Sequence, residues 1–536
     1  MREESDESAR RVTFNTGGIS DYVMGRKARV VFVGLDAMSW EVAERLSSLS
    51  IMPTLLRIAK TGCRAVMHSI PPSTPPGWTT LTTGVNPGKH GLFDFTSLIK
   101  VNGKFSTRLN DARDIHYPRL HEMLSMRGRK SVIIDLPPSY PPPKPFNGIL
   151  VSDWLSPRRF VLPKKFSWLK ELLVEKPLHL TGEEFIKGVE ASATSKIEVA
   201  KELFEIVPWD FFFILFGETD WLFHRALERI MVGKSYVVKT FKHIDRFLYW
   251  LVKNRPDNCM IVVASDHGIQ NARWMIKPNV ILMKMGVLKV RYGHSGEGPK
   301  EFVEILHSQR KSIASDSKVL RVPGFLLELA TKPGLSRIAR LIFSKLARGK
   351  RLATTRIIDT VRSLAFMPTD YSFGIYVNET LVRPDVLSQR ILRTLKRLNT
   401  FYRSQLFAIL SLRNEVYHGP FVRRAPHIVL VPSDNFSLGK TLFGDEPVES
   451  LNTVVHSIEA MLLLIGDGVA SGVDLGKVSM CDVAPTILHY LGMEVPYDTD
   501  GRVLTMALDG ATKPRFTYYK LRWKLARRMG IKDIGR

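Results

Sequence analysis

Asp220 and His224 stand four residues apart in Asp220-Trp221-Leu222-Phe223-His224, a spacing that puts both side chains on one face of a helix. A carboxylate and an imidazole placed this way can share one metal ion, although an ordinary helix-face contact uses the same spacing. Asp266 and His267 are adjacent in Ser265-Asp266-His267-Gly268, just after the apolar run Cys259 to Ala264. Both can turn into a cleft there. The competing reading is a turn, with Asp266 capping a helix and Gly268 supplying positive φ. Asp36 ends another apolar run, Val30-Val31-Phe32-Val33-Gly34-Leu35, and can equally be a ligand or an N-cap. His, Asp and hydroxyl ligands without cysteine suit Zn²⁺, and also Mn²⁺ or Fe. Two such ions side by side would clamp the attacking and leaving oxygens of a phosphoryl displacement.

A hydroxyl for that attack lies in Pro71-Pro72-Ser73-Thr74-Pro75-Pro76-Gly77-Trp78. The prolines fix the approach of the chain, and a helix is expected to begin near Gly77. A threonine oxygen bound to a metal ahead of a helix N-terminus can ionise near neutral pH, and backbone N–H groups there can hold phosphoryl oxygens. The plainer reading makes Ser73 or Thr74 an N-cap after a proline-rich loop.

The elements that position these residues are legible as a rhythm. Short apolar runs end in polar or acidic residues at Asp36, Asp135, Gly217-Glu218-Thr219-Asp220, Ser265-Asp266 and Gly466-Asp467-Gly468, and amphipathic stretches such as Val42 to Lys60 and Ser235 to Lys253 lie between them. Runs of this kind suit strands buried on both faces, and their alternation with helices means an α/β fold with a mostly parallel sheet and helices on both faces. Ligands of such sheets bind beyond the carboxyl ends of the strands, where the acidic residues fall.

The expected organisation is a polar lead-in over residues 1–27, a catalytic core over 28–275 and 365–510, an inserted basic cap over 276–364 and a basic tail over 511–536. Between Arg310 and Arg356 there are twelve basic residues and two acidic ones, and Leu335, Ile338, Leu341, Ile342 and Leu346 form an apolar stripe flanked by basic side chains, which marks the cap as helical. The whole chain carries a formal charge of +25, a field that attracts phosphorylated substrates, nucleic acid or acidic lipid without choosing among them. Cys63, Cys259 and Cys481 are too scattered for a disulfide framework or a cysteine zinc site and fit a reducing compartment. With no apolar leader at Met1-Arg2-Glu3-Glu4 and no membrane-length apolar run, the chain is expected to be cytoplasmic.

In order along the chain, these pieces resemble the alkaline phosphatase superfamily and, within it, the type I phosphodiesterase / nucleotide pyrophosphatase family. Val31-Phe32-Val33-Gly34-Leu35-Asp36 looks like the first metal strand, Ser73-Thr74-Pro75-Pro76-Gly77-Trp78 like the nucleophile segment, and Thr83 to Gly91 like the turn after it. Asp220 to His224 and Ser265 to Gly268 match the central metal motifs, and Asp482 to Gly492 the closing helix. The resemblance implies an alkaline-phosphatase-like fold and two divalent metal ions, Zn²⁺ foremost. One ion would take Asp220, His224 and a late histidine, the other Asp36, Asp266, His267 and the oxygen of Thr74. By position the late histidine is His456, with His418 as its competitor. Gly77 stands where the family commonly carries Asn, and the absence of an Arg after Thr74 argues against a sulfatase.

The implied activity is metal-dependent hydrolysis of phosphodiester or pyrophosphate bonds through a phosphothreonine intermediate. A phosphomonoesterase or phosphomutase on the same fold is the enzymatic alternative. The other is a non-catalytic protein that binds nucleic acid or acidic membrane through the basic cap and through Tyr518-Tyr519-Lys520-Leu521-Arg522-Trp523-Lys524.

Overall fold

A computed structural model describes residues 27–294, 298–305, 319–320, 351–352 and 354–529. Its centre is a nine-stranded sheet built from β1 (Arg29–Leu35), β2 (Cys63–His68), β3 (Ser131–Ile134), β4 (Gly148–Val151), β5 (Val161–Leu162), β6 (Phe211–Phe216), β7 (Cys259–Ala264), β8 (Glu459–Gly466) and β9 (Val473–Ser479). The spatial order is β9-β2-β8-β7-β1-β6-β3-β4-β5. β1 lies parallel to both β6 and β7, and only β8 and the short edge strand β5 run against the rest.

The apolar runs form strands because both faces of the sheet are covered. Val31, Val33, Phe212, Ile214 and Ile261 point into one core, while Phe32, Phe211, Phe213, Met260 and Val262 point into the other. Helices on both faces close these cores, so the fold is the mostly parallel α/β architecture expected. One amphipathic stretch divides: Val42 to Lys60 spans two helices, Trp40–Ser48 and Pro53–Thr61, because Pro53 takes the first turn of the second.

Two further sheets stand beside the central one. Gly268–Ile276 continues from the end of β7 and pairs antiparallel with Val448–Ser457, with Phe436–Leu438 on its other side. A four-stranded sheet of Ala365–Phe366, Gly374–Val377, Ile428–Pro432 and Phe407–Leu412 packs with helix Pro384–Phe401 around Phe366, Ile375, Ile391 and Leu395. Residues 365–432 therefore share a second hydrophobic core with Ile276 to Leu288, and the central sheet takes no strand from them. From the region assigned to the basic cap, helix Pro278–Lys284 and the pair Val290–His294 with Thr354–Ile358 join this same layer. The apolar stripe from Leu335 to Leu346 lies outside the described residues. No helix among the described residues is long and apolar enough to cross a membrane.

Candidate active site

Helix α1 (Thr74–Thr83) begins at Thr74, a turn earlier than the sequence suggests. Pro75 and Pro76 fit its first turn because N–H groups there have no intrahelical partner in any case. The same prolines remove two donors, and the Gly77 N–H is taken by the Ser73 carbonyl at 2.9 Å. At this terminus Thr74 alone brings a backbone N–H for a phosphoryl oxygen, fewer than a helix start normally offers. Trp78 docks α1 on the sheet, edge-on to Phe32 and Phe213 at 6.3 and 6.0 Å between ring centres. Gly34 admits that ring, since a Cβ on residue 34 would come 2.7 Å from Trp78 and from Leu215.

Asp36 follows β1, and Asp266 with His267 follows the adjacent β7, so strand neighbours deliver three buried side chains to one place. His267 Nε2 lies 3.4 Å from Asp36 Oδ1, 3.3 Å from Asp266 Oδ2 and 3.4 Å from Thr74 Oγ1. Helix α2 (Glu218–Met231) follows β6 and carries Asp220 and His224 on one face, their side chains 3.2 Å apart. The antiparallel pairing sets Ile269 opposite His456, which brings His456 Nε2 to 2.9 Å from His224 Nε2 and 3.5 Å from Asp220 Oδ1. The two triads abut, with the rings of His267 and His456 stacked 3.8 Å apart. His418 sits elsewhere, against Asn86 and Asp500.

Supporting contacts aim these ligands. His456 Nδ1 is 2.9 Å from the Pro72 carbonyl and His267 Nδ1 is 3.0 Å from the Gly268 carbonyl, which leaves both Nε2 atoms for the cleft. The Thr219 hydroxyl, within reach of the Asp36 and Phe216 carbonyls at 2.6 and 2.8 Å, ties the first strand end to α2. The Trp78 indole N–H points to Asp36 Oδ2 at 3.4 Å. Ala37 adopts a left-handed φ of 61°, a conformation that costs an L-residue about 1 kcal/mol, and its N–H faces Asp266 Oδ1.

The electrostatics ask for a cation. Asp36 Oδ1, Asp266 Oδ2 and Asp220 Oδ1 are buried carboxylate oxygens with no hydrogen-bond partner. Burial, then the charges of Asp266 and Asp220, push the Asp36 carboxyl well above the usual carboxylate range, and burial does the same to Asp266. Burial and the neighbouring His456 hold the His267 imidazole far below its ordinary value. Each triad offers one ligand atom per residue, all within 4.8 Å of one another, a fit for divalent cations on nitrogen and oxygen donors.

Sequence spacing did not point to several neighbours of the site. Lys196 is buried among Asp135, Glu218 Oε2 at 2.8 Å and the Leu215 carbonyl at 2.7 Å, and so ties the ends of β3 and β6 behind Asp220. Tyr371 lies with its ring centre 5.7 Å from that of His456, and Phe302, Phe95 and Trp154 extend the aromatic wall behind it. Tyr371 and Phe302 belong to elements with no acidic strand end to flag them. Trp78, by contrast, lies inside the proline-rich segment.

The model of the type I phosphodiesterase / nucleotide pyrophosphatase family matches residues 30–322, more than half of the chain. The chain belongs to that family. It is accordingly a phosphoester hydrolase. No curated protein matches its sequence. Among solved structures it is similar to wild-type alkaline phosphatase PafA, with 14% identity, a TM-score of 0.53 and coverage of 90% of this chain and 99% of that one. At such identity the likeness shows the fold. Phosphonoacetate hydrolase from Sinorhizobium meliloti 1021 also matches, at 15% identity, a TM-score of 0.49 and coverage of 87% and 95%. So does murine ectonucleotide pyrophosphatase / phosphodiesterase 5, at 12%, 0.46, 89% and 98%. The family match takes in Asp36, Thr74, Asp220, His224, Asp266 and His267 and stops before His456.

Proposed function

We propose that this protein hydrolyses phosphodiester or pyrophosphate bonds, with Thr74 as nucleophile and two divalent cations, Zn²⁺ foremost, held by Asp220, His224 and His456 and by Asp36, Asp266 and His267. The observation that carries the reading is the pair of abutting triads with orphaned carboxylate oxygens, beside a threonine hydroxyl at a helix start.

Bound divalent cations would neutralise the clustered carboxylates, lower the pKa of the Thr74 hydroxyl and offset charge on the transferred phosphoryl oxygens. The chain's own part is positioning. Thr74 Oγ1 gives up its proton to solvent and forms the bond to phosphorus while the ester or phosphate leaving group departs with its electron pair and takes a proton from solvent, leaving a phosphothreonine. Water, losing a proton, then attacks phosphorus from the opposite side, breaks the Thr74 Oγ1–P bond and restores the hydroxyl. The Thr74 N–H and the positive end of α1 favour the anionic phosphoryl group. The partly exposed rings of Tyr371 and Phe302, backed by the buried Phe95, offer an apolar surface to a second ester substituent, which supports a diester over a monoester.

Purified protein supplied with Zn²⁺ or Mn²⁺ is expected to cleave bis-p-nitrophenyl phosphate faster than p-nitrophenyl phosphate, and Thr74→Ala to abolish the cleavage. A preference for the monoester overturns the diester assignment. Full activity in Thr74→Ala overturns the nucleophile.

A further inference from the structure

We propose that the C-terminal helix α3 (Tyr519–Met529) and the aromatic residues beside it form a docking surface for an anionic lipid bilayer. One face of α3 anchors the helix: Tyr519, Trp523 and Ala526 are buried, and the Trp523 indole N–H donates to Glu122 Oε1 at 2.8 Å. At about 100° per residue, Leu521 and Leu525 fall on the opposite face. They are 66% and 46% exposed. Arg522, Lys524 and Arg528 flank them in the open, and the helix carries five basic residues and no acidic one. Next to it Tyr497 stacks on Tyr518 and leans on Phe516, at 4.9 and 5.5 Å between ring centres, and all three rings are largely exposed. Beside the helix runs a groove of about 450 Å³ lined by Lys520, Lys524, Arg527 and Arg528, with Arg113 among the residues that complete it.

Aliphatic and aromatic side chains that face water amid cations are the composition of a helix lying in a lipid interface, with apolar groups among the acyl chains and cations at the headgroups. Nucleic acid would use the cations but gain little from Leu521 and Leu525. A second copy would set five uncompensated cations against the same five. The groove offers a phosphate headgroup five cationic side chains, of which Arg113 is already paired with Asp111. None of these residues belongs to the triads, and the docking reading stands apart from the catalytic one.

The test is sedimentation of the full-length protein with phosphatidylcholine vesicles and with vesicles that also contain phosphatidylglycerol. Binding is expected to the anionic vesicles alone, and to weaken at least about tenfold between low and about 1 M salt. Leu521→Glu/Leu525→Glu and Arg522→Glu/Lys524→Glu/Arg528→Glu should each reduce it at least tenfold. These side chains face solvent, so the thermal midpoint should stay at the wild-type value and show that loss of binding is not unfolding. Equal binding to both kinds of vesicle, no binding at low salt, or variants that bind like the wild type overturn the proposal. So does light scattering that shows the leucine variant turning a dimer into a monomer.

Discussion

Three buried carboxylate oxygens whose near neighbours are imidazole nitrogens rather than well-formed hydrogen-bond donors are costly where they stand, and such a cluster suits a cation. Adding Zn²⁺ to chelator-treated protein should therefore raise its stability, by about 2.7 kcal/mol for each site filled at a hundredfold excess over its dissociation constant. Differential scanning calorimetry reads this directly. Elemental analysis is expected to find two ions per chain in the wild type and one in His456→Ala. Gly77 sets a second constraint at this scale. A Cβ there would lie 2.8 Å from the Asp266 side chain and 3.0 Å from its carbonyl, so the helix start and the ligand can touch only through glycine. Gly77→Ala should push Thr74 and Asp266 apart and lower kcat on the order of 100-fold, since displacements of about 1 Å are that expensive in an active site.

At the scale of elements, the site depends on strand ends being held in step. Lys196 does this from helix Gly182–Ile206, where burial alone would lower its pKa but the Asp135 and Glu218 charges outweigh the burial and keep it cationic. Lys196→Met should cost about 3–5 kcal/mol in urea unfolding, because it leaves Asp135 and Glu218 buried with less charge to oppose them. Lys176, which also pairs with Asp135, sets the lower end of that range.

At the scale of the whole molecule, the segment that follows the Thr74 helix meets the segment after Ala365–Phe366 at Asp94. Its Oδ2 accepts from the Thr369 hydroxyl at 2.9 Å and from Thr96 at 3.3 Å. Burial, then the nearby Glu301 charge, raise the Asp94 carboxyl from 3.8 to about 7. The folded protein thus holds a proton that the unfolded chain releases near pH 4. The stability this gives is complete below pH 4 and is lost as pH rises through 7. Between pH 5 and pH 8 the wild type should lose about 2–3 kcal/mol relative to Asp94→Asn, measured by denaturant unfolding at both values.

Much of this protein follows from sequence alone, for a local reason. An Asp and a His four apart on a helix, or adjacent after a strand, need only their own element to become neighbours. Apolar runs ending in carboxylates declare a buried parallel sheet and the edge where its chemistry lies. Asp36, Asp220, His224, Asp266 and His267 were legible in this way, and the proline-rich approach marked Thr74. The placement of His456 was decided by tertiary structure. It is 232 positions from His224 and reaches it through the register that sets Ile269 opposite His456, where a slip of one residue would turn it to the other face of the strand. The second core that residues 365–432 share with Ile276 to Leu288, the Tyr371 wall and the Lys196 tie have the same origin. Each is a contact between distant segments, selected by how two surfaces pack, and no short stretch of sequence records that.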